Sequence, residues 1–312
     1  MALLFVFVDG LGLAPPGPAN PLSAIGSGPL ALIGAPPLSL LGGAEPLGGA
    51  APLGGAPPRE GFRLIPADAC LGVPGTPQSA TGGTSLFTGL NAPALNGGHL
   101  QGYPNTKLRE IICREGILRK LRERGAAVGF ANAYTPPFFE RGKTRHRSVT
   151  TVMAESSGLP LRGLGDLRRG EAVYRDFTNA ILLEAGYEVE PLTPEGAGAR
   201  LGRMARGRDL LLYEYFQTDI VGHRGTIEDA TGVLKTLNSF LQAALEELDP
   251  AEDTFVLSSD HGNVEDMNTS SHTTNMVPIL LWGNGLEDWT FPDGPPSILH
   301  VSGGIRSLIE GR

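Results

Sequence analysis

An acid and an imidazole stand side by side at Asp260-His261, inside the run Ser258-Ser259-Asp260-His261-Gly262-Asn263. The residues before them, Thr254 to Ser259, lean apolar and read as a buried strand. Unpaired, the two side chains would cost several kcal/mol to bury, roughly. Both are good ligands for a divalent cation of hard to borderline character. Taken alone, the pair reads equally well as a loop Asp that caps a helix beside an incidental His. Two further clusters shift that balance. Asp219-Ile220-Val221-Gly222-His223 follows the apolar run 210–216, and His272 lies in Ser271-His272-Thr273-Thr274-Asn275, just before a strand-like stretch from Val277 to Trp282. Near the start, the apolar run Leu3 to Val8 ends in Asp9-Gly10. Asp9, Asp219 and Asp260 thus each follow a strand-like run, and the carboxyl ends of strands are where open α/β sheets bind ligands. With His223, His261 and His272 the set favours a metal site over chance.

The elements that must position these residues alternate strand and helix, as an α/β domain does. The clearest helix runs from Thr226 to Leu248, with apolar residues at helical spacing, Thr226 as N-cap and Pro250 beyond its end. Residues 106–124 read as one helix stopped by Gly125, and Ala126 to Ala133 as a strand. Residues 14–58 carry one charged residue, Glu45, and repeat Leu-Gly-Gly-Ala at 41, 47 and 53. Gly and Pro punctuate that stretch too often for a long helix or a central strand, and it reads as a compositional expansion in a surface loop. The 312 residues are 41% hydrophobic, ample for one large domain with an insertion. A formal net charge of -8 argues against a nucleic-acid partner. Cys70 and Cys113 make neither a disulfide framework nor a zinc cluster and read as small buried apolar groups. The opening MALLFVFVDG lacks a basic segment and meets an Asp early, so it reads as a strand and not a leader. With no run reading as a membrane span, the expectation is a soluble, cytoplasmic protein.

Asp-x-x-Gly-His, then Ser-Asp-His-Gly-Asn-x-Glu, then Ser-His-Thr-Thr-Asn-x-Val-Pro resembles the metal domain of cofactor-independent phosphoglycerate mutases. Phosphopentomutases and the wider alkaline phosphatase superfamily are similar. The likeness spans the first strand, residues 75–91 and residues 210–283. It implies a three-layer α/β fold, a mostly parallel sheet with helices on both faces. The core would comprise 1–135 and 207–312, with a small cap inserted at 136–206. It also implies two divalent cations, Mn2+ or Zn2+. Asp219, His223 and His272 would hold one, and Asp9, Asp260 and His261 the other. Asn263, Glu265 and Thr273 are the candidates for orienting the imidazoles. In this superfamily the nucleophilic Ser or Thr lies ten residues before a glycine that ends the following helix. Counting back from Gly89 gives Ser79, which would adjoin or bridge the cations. By chemistry alone Thr81 and Thr84 are rivals, and Ser79 is equally a good N-cap. The superfamily's sulfatases need a modified Cys in a Cys-x-Pro-x-Arg setting, absent here.

The cap of such enzymes carries cations that hold the substrate. Arg141, Lys143, Arg145, His146 and Arg147 cluster in 136–206, with Arg162, Arg168, Arg169 and Arg175 following. Guanidinium forks suit a phosphate or carboxylate, and an ordinary solvated basic face reads equally well. His99 and His300 read as structural. The reaction implied is two-metal phosphoryl transfer on a small phosphorylated metabolite through a phosphoserine at Ser79, as a mutase or a phosphatase. A phosphodiesterase or nucleotide pyrophosphatase on the same site, and a metal-binding scaffold without turnover, are the alternatives.

Overall fold

The computed structural model describes residues 1–34, 61–140, 146–291 and 294–311. Six strands form one sheet in the order β2-β6-β5-β1-β4-β3. They are β1 (Leu3–Val8), β2 (Phe62–Ala67), β3 (Val128–Phe130), β4 (Leu210–Tyr215), β5 (Thr254–Ser258) and β6 (Val277–Gly283). β1 lies at the centre, parallel to both β4 and β5, and β3 extends the parallel set beyond β4. β6 runs antiparallel to β5, and β2 antiparallel to β6. The sheet is mostly parallel, as the motifs implied.

Near-continuous apolar strands are what a sheet covered on both faces requires. In β1 the side chains alternate between two cores: Leu4, Val6 and Val8 face one, and Leu3, Phe5 and Phe7 the other. Eight helices matter to the layers: α1 (Ser79–Thr88), α2 (Thr106–Glu115), α3 (Ile117–Glu123), α4 (Val149–Ser156), α5 (Pro194–Ala205), α6 (Gln217–Arg224), α7 (Ile227–Glu246) and α8 (Leu299–Glu310). α5 and α7 fill the first core, with Leu201, Leu234, Leu237 and Phe240 fully buried. α1 to α4 and α8 fill the second, through Leu86, Ile112, Leu118, Met153 and Ile305. α7 begins with a reciprocal cap between Thr226 and Asp229.

Four expectations change. Residues 106–124 form α2 and α3, broken at Gly116, where the chain is extended (φ -59°, ψ 134°). A Cβ there would stand 2.6 Å from the Ile112 carbonyl oxygen and 3.0 Å from Met153, so the chain turns against α4. Within 136–206, α4 and α5 belong to the two main cores. A separate small cluster of Leu164, Leu167, Ala172, Tyr174 and Leu182 holds the middle of that segment, together with Ala133. Of residues 14–58, the described part is not a surface loop throughout: Leu22, Ile25, Leu30 and Ile33 are buried in the first core, and 35–58 lie outside the described residues. Cys70 and Cys113 are free and half-buried, not buried.

Candidate metal centre

The parallel strands β5, β1 and β4 end side by side, and each delivers its acid there. Asp9 follows β1, Asp260 and His261 follow β5, and Asp219 sits in the first turn of α6, just beyond β4. The stretch from Asp219 to His223 is helical. Four-residue spacing places Asp219 and His223 on one face of α6. Gly222 leaves room for a neighbour, since a Cβ there would meet the Asn263 side chain at 2.6 Å. Gly10 adopts φ +71° and lets the chain leaving β1 pass against Asp219.

Side chains from five separate stretches converge. His223 Nε2 and His272 Nε2 lie 3.4 and 3.3 Å from Asp219 Oδ1 and 3.0 Å from each other. His261 Nε2 lies 3.1 Å from Asp9 Oδ1 and 3.7 Å from Asp260 Oδ2. Ser79, the first residue of α1, places its hydroxyl 3.0 Å from His261 Nε2. Two donor clusters result: Asp219, His223 and His272, and Asp9, Asp219 and His261. Asp219 thus belongs to both. Asp260 stands at the edge of the second. Its carboxylate oxygens are buried without a hydrogen-bond partner.

The arrangement fits divalent cations. His223 Nδ1 faces the Ser270 carbonyl at 2.6 Å and His272 Nδ1 faces the Pro77 carbonyl at 3.0 Å. A carbonyl oxygen only accepts, so each Nδ1 carries the hydrogen, and a ring without a second proton turns a lone pair inward at Nε2. Two lone pairs 3.0 Å apart repel unless something positive lies between them. The carboxylates add to that demand. Burial pushes Asp260 well above the ordinary range, with Asp9 and Asp219 adding to the rise and His261 opposing it. Burial would lower His261, but Asp260, Asp9 and Asp219 outweigh it and hold the ring's proton up to about 10. Burial would also raise Asp219, yet His272, His261 and Asn263 bring it down to about 2. The field that holds a proton on His261 would hold a cation in its place. A donor set of nitrogen and oxygen alone suits divalent cations.

The supporting shell departs from expectation. Backbone carbonyls, not side chains, orient His223 and His272. Asn263 donates to Asp219 Oδ1 at 2.7 Å instead. Glu265 ties the loops together. It accepts from the Gly12 and Asn263 N–H groups at 2.9 and 2.8 Å, from Thr273 Oγ1 at 2.5 Å and from Asn275 Nδ2 at 3.0 Å. Thr273 acts through Glu265 and not on a ring. Of the rival hydroxyls, Thr81 Oγ1 is taken by its bonds with Gln78 O and Leu100 N, and Thr84 is bonded to Ala80 O. His99 faces the Val73 carbonyl and His300 faces Ser297. Arg141, Lys143 and Arg145 lie outside the described residues. His146 is exposed, and Arg147 stacks on Phe138, 3.6 Å from its ring centroid.

Glu214, near the end of β4, escaped the sequence reading. It is buried, accepts from Thr150 Oγ1 at 2.7 Å and is raised to about 7, chiefly by burial and secondarily by Asp9. A carboxylate inside an otherwise apolar strand was the available signal.

Residues 193–304 match the family model of the Metalloenzyme superfamily. Over the whole chain the fold is similar to the alkaline phosphatase of the Antarctic bacterium TAB5 (TM-score 0.55, 10% identity, 99% of this chain and 97% of that one). It is also similar to the cold-active alkaline phosphatase of a psychrophilic Shewanella (TM-score 0.53, 12% identity, 99% and 100%). The fold is thus similar to that of these alkaline phosphatases, and the stretch that matches the Metalloenzyme superfamily holds Asp219, His223, Asp260, His261 and His272. Among relatives by sequence, the 2,3-bisphosphoglycerate-independent phosphoglycerate mutase of Dinoroseobacter shibae is 31% identical over 131 residues, 38% of this chain and 26% of that protein. That of Roseobacter denitrificans is 30% identical over 154 residues, 44% of this chain and 30% of that protein. The chain therefore spans between a quarter and a third of the length of these mutases. Among the described residues no helix is long and apolar enough to cross a membrane.

Proposed function

We propose that the chain transfers a phosphoryl group from a small phosphomonoester to Ser79, and from there to water or to a second hydroxyl of the same substrate. The observation that supports this best is the Ser79 hydroxyl, 3.0 Å from His261 Nε2 at the meeting of two ligand clusters. Asp219, His223 and His272 would hold one cation, and Asp9, Asp260 and His261 the other. When bound, such cations neutralise phosphoryl oxygens and favour the ionised forms of the attacking and departing hydroxyls.

The chain's own groups do the rest. Ser79 Oγ attacks phosphorus, loses its proton and becomes a phosphoserine, while the bond to the substrate alcohol breaks and that oxygen takes up a proton. α1 begins without a side-chain cap, so the N–H groups of its first turn are free to donate to phosphoryl oxygens at the Ser79 end. Glu265 and Asn263 keep the loops and Asp219 in register. In the second step the acceptor oxygen attacks the phosphoserine and Ser79 is restored.

The test is turnover of a panel of phosphomonoesters and diesters by the Mn2+- or Zn2+-loaded protein, beside Ser79→Ala. Wild type should hydrolyse or isomerise a monoester, and acid quench should trap one phosphoryl group on Ser79. Equal turnover by Ser79→Ala would remove the serine from the mechanism. Two bound metals without turnover of any ester would leave a binding scaffold.

A further inference from the structure

Glu214 is a buried acid that neither transfer step above uses. It pairs in register with Phe7, whose ring lies in the core that α1 and α4 cover. Asp9 follows Phe7 by two residues, and its charge is felt at Glu214. Thr150 of α4 holds the carboxyl, and its neighbour Val149 lies against Gly83, one turn along α1 from Ser79, with Cγ2 3.4 Å from where a Cβ would be. The acid is thus tied both to the strand that delivers Asp9 and to the helix that packs on the nucleophile's own.

An unbroken row of hydroxyls leads away from it. Thr150 Oγ1 donates to Glu214 Oε2 at 2.7 Å, and Ser148 Oγ lies 2.8 Å from Thr150 Oγ1. Thr151 Oγ1 follows at 2.9 Å from Ser148 Oγ, and Tyr134 OH at 2.7 Å from Thr151 Oγ1. Thr150 is fully buried, whereas Ser148, the N-cap of α4, is half-buried, which makes it the nearest way out. A hydroxyl both donates and accepts, so each member of such a row can give up its own proton as it takes the next. Asn132 fixes the inner end. Its Nδ2 donates to the Glu214 carbonyl at 2.8 Å and its Oδ1 accepts from the Glu214 N–H at 2.9 Å. The titratable groups that act on Glu214 or feel it are Asp9 beyond β1, Tyr134 beyond β3 and Tyr213 in its own strand, while Arg147 and Glu155 act on Tyr134.

We propose that Glu214, Thr150 and Ser148 form a proton relay between the metal centre and solvent. Its part in turnover rests on the phosphoryl-transfer reading. In the first step the Ser79 O–H bond breaks as Oγ bonds to phosphorus, and the proton passes through water in the site to Glu214 Oε1. Oε2 hands a proton to Thr150, Thr150 to Ser148, and Ser148 to bulk water. The departing alkoxide keeps the electron pair of its bond to phosphorus and takes a proton from solvent. In the second step the attacking hydroxyl loses its proton by the same route, and Ser79 regains one as its bond to phosphorus breaks. Neither step changes the number of protons. A carboxyl raised to about 7 takes and releases a proton with equal ease near neutral pH.

The experiment compares metal-loaded wild type with Glu214→Gln, Thr150→Val and Thr150→Ser. The infrared difference between wild type and Glu214→Gln reads the Glu214 carboxyl proton without turnover, and rapid mixing into D2O times its exchange. Exchange in Thr150→Val should be about tenfold slower or more than in wild type, and unchanged in Thr150→Ser. Turnover of a phosphomonoester should fall about tenfold or more in Glu214→Gln and Thr150→Val, at unchanged metal content. Added imidazole, itself a proton carrier, should restore most of that loss, and Thr150→Ser should match wild type. Exchange as fast in Thr150→Val as in wild type, no carboxyl proton on Glu214 at any pH at which the protein stays folded, a loss of turnover that imidazole leaves in place, or an additional bound cation that Glu214→Gln loses would overturn the relay. Slowed exchange in Thr150→Val alone, with no ester turned over by wild type, would defeat the phosphoryl-transfer reading and leave the relay standing.

Discussion

Glu265 offers the sharpest test of how the centre is built. It is 1% exposed and accepts four hydrogen bonds, two at each carboxylate oxygen. In Glu265→Gln one oxygen becomes an amide NH2. If the amide faced Gly12 and Asn263, two backbone N–H groups would be left pointing at a donor. The other orientation is better, because the Thr273 hydroxyl can rotate and accept from it. Then only Asn275 Nδ2 loses its partner, while the remaining bonds lose the assistance of a full charge. A hydrogen bond to a charged group is worth about 1.5–3 kcal/mol and a neutral one about 1, so the net loss is about 2–3 kcal/mol. Glu265→Ala strands all four donors and should cost more, about 4 kcal/mol or above. Urea unfolding in chelator reads this directly as a lower midpoint at unchanged slope. Since the loops it joins carry Asp9, Asp260, His261 and His272, metal affinity should also fall, about tenfold or more. A Glu265→Gln protein within about 0.5 kcal/mol of wild type, binding metal as well, would refute this account of the loop junction.

Further outcomes follow from the same geometry. The Glu214 carboxyl titrates near 4.5 unfolded and about 7 folded, so between those values the folded state holds the extra proton and stability falls as pH rises. The full effect is about 3 kcal/mol, and Glu214→Gln in chelator should gain on wild type by that order between pH 5 and 8 in urea titrations; parallel pH profiles would contradict it. Gly82→Ala places a Cβ 2.6 Å from the Asp260 carbonyl oxygen, and should destabilise by about 1–3 kcal/mol although Ala is the better helix former; a rise in melting temperature would be the opposing result. Metal-loaded wild type should bind two equivalents by elemental analysis, and His223→Ala one; two equivalents in the variant would take His223 out of the ligand set.

Much of this centre could be read from residue order. β1, β4 and β5 announce themselves as unbroken apolar runs, and the acid after each marks its carboxyl end. Helical spacing gave α7 together with its Thr226 cap. What could not be read depends on contacts made at a distance. Gly116 looks like a tolerable helix glycine until Met153 of α4 is placed against it. The carbonyls that orient His223 and His272 belong to Ser270 and Pro77, and backbone groups leave no trace in residue types. Glu214 was hidden because an isolated acid in a strand usually faces water, and only the packing of α4 over β4 shuts water out. The buried Leu22 and Ile33 sit in a stretch whose composition resembles a linker, yet they complete the first core.

The central place of β1 bears on how the chain comes to be assembled. Leu4 pairs with Leu211 on one side and Phe255 on the other. On a ribosome β1 would emerge well before either neighbour, since Leu211 and Phe255 follow Leu4 by 207 (211 − 4) and 251 (255 − 4) residues. Until then Leu-Leu-Phe-Val-Phe-Val has two open edges, the composition that favours wrong association. Production in a cell should therefore respond to chaperone supply and to translation speed more strongly than the finished protein's stability would suggest.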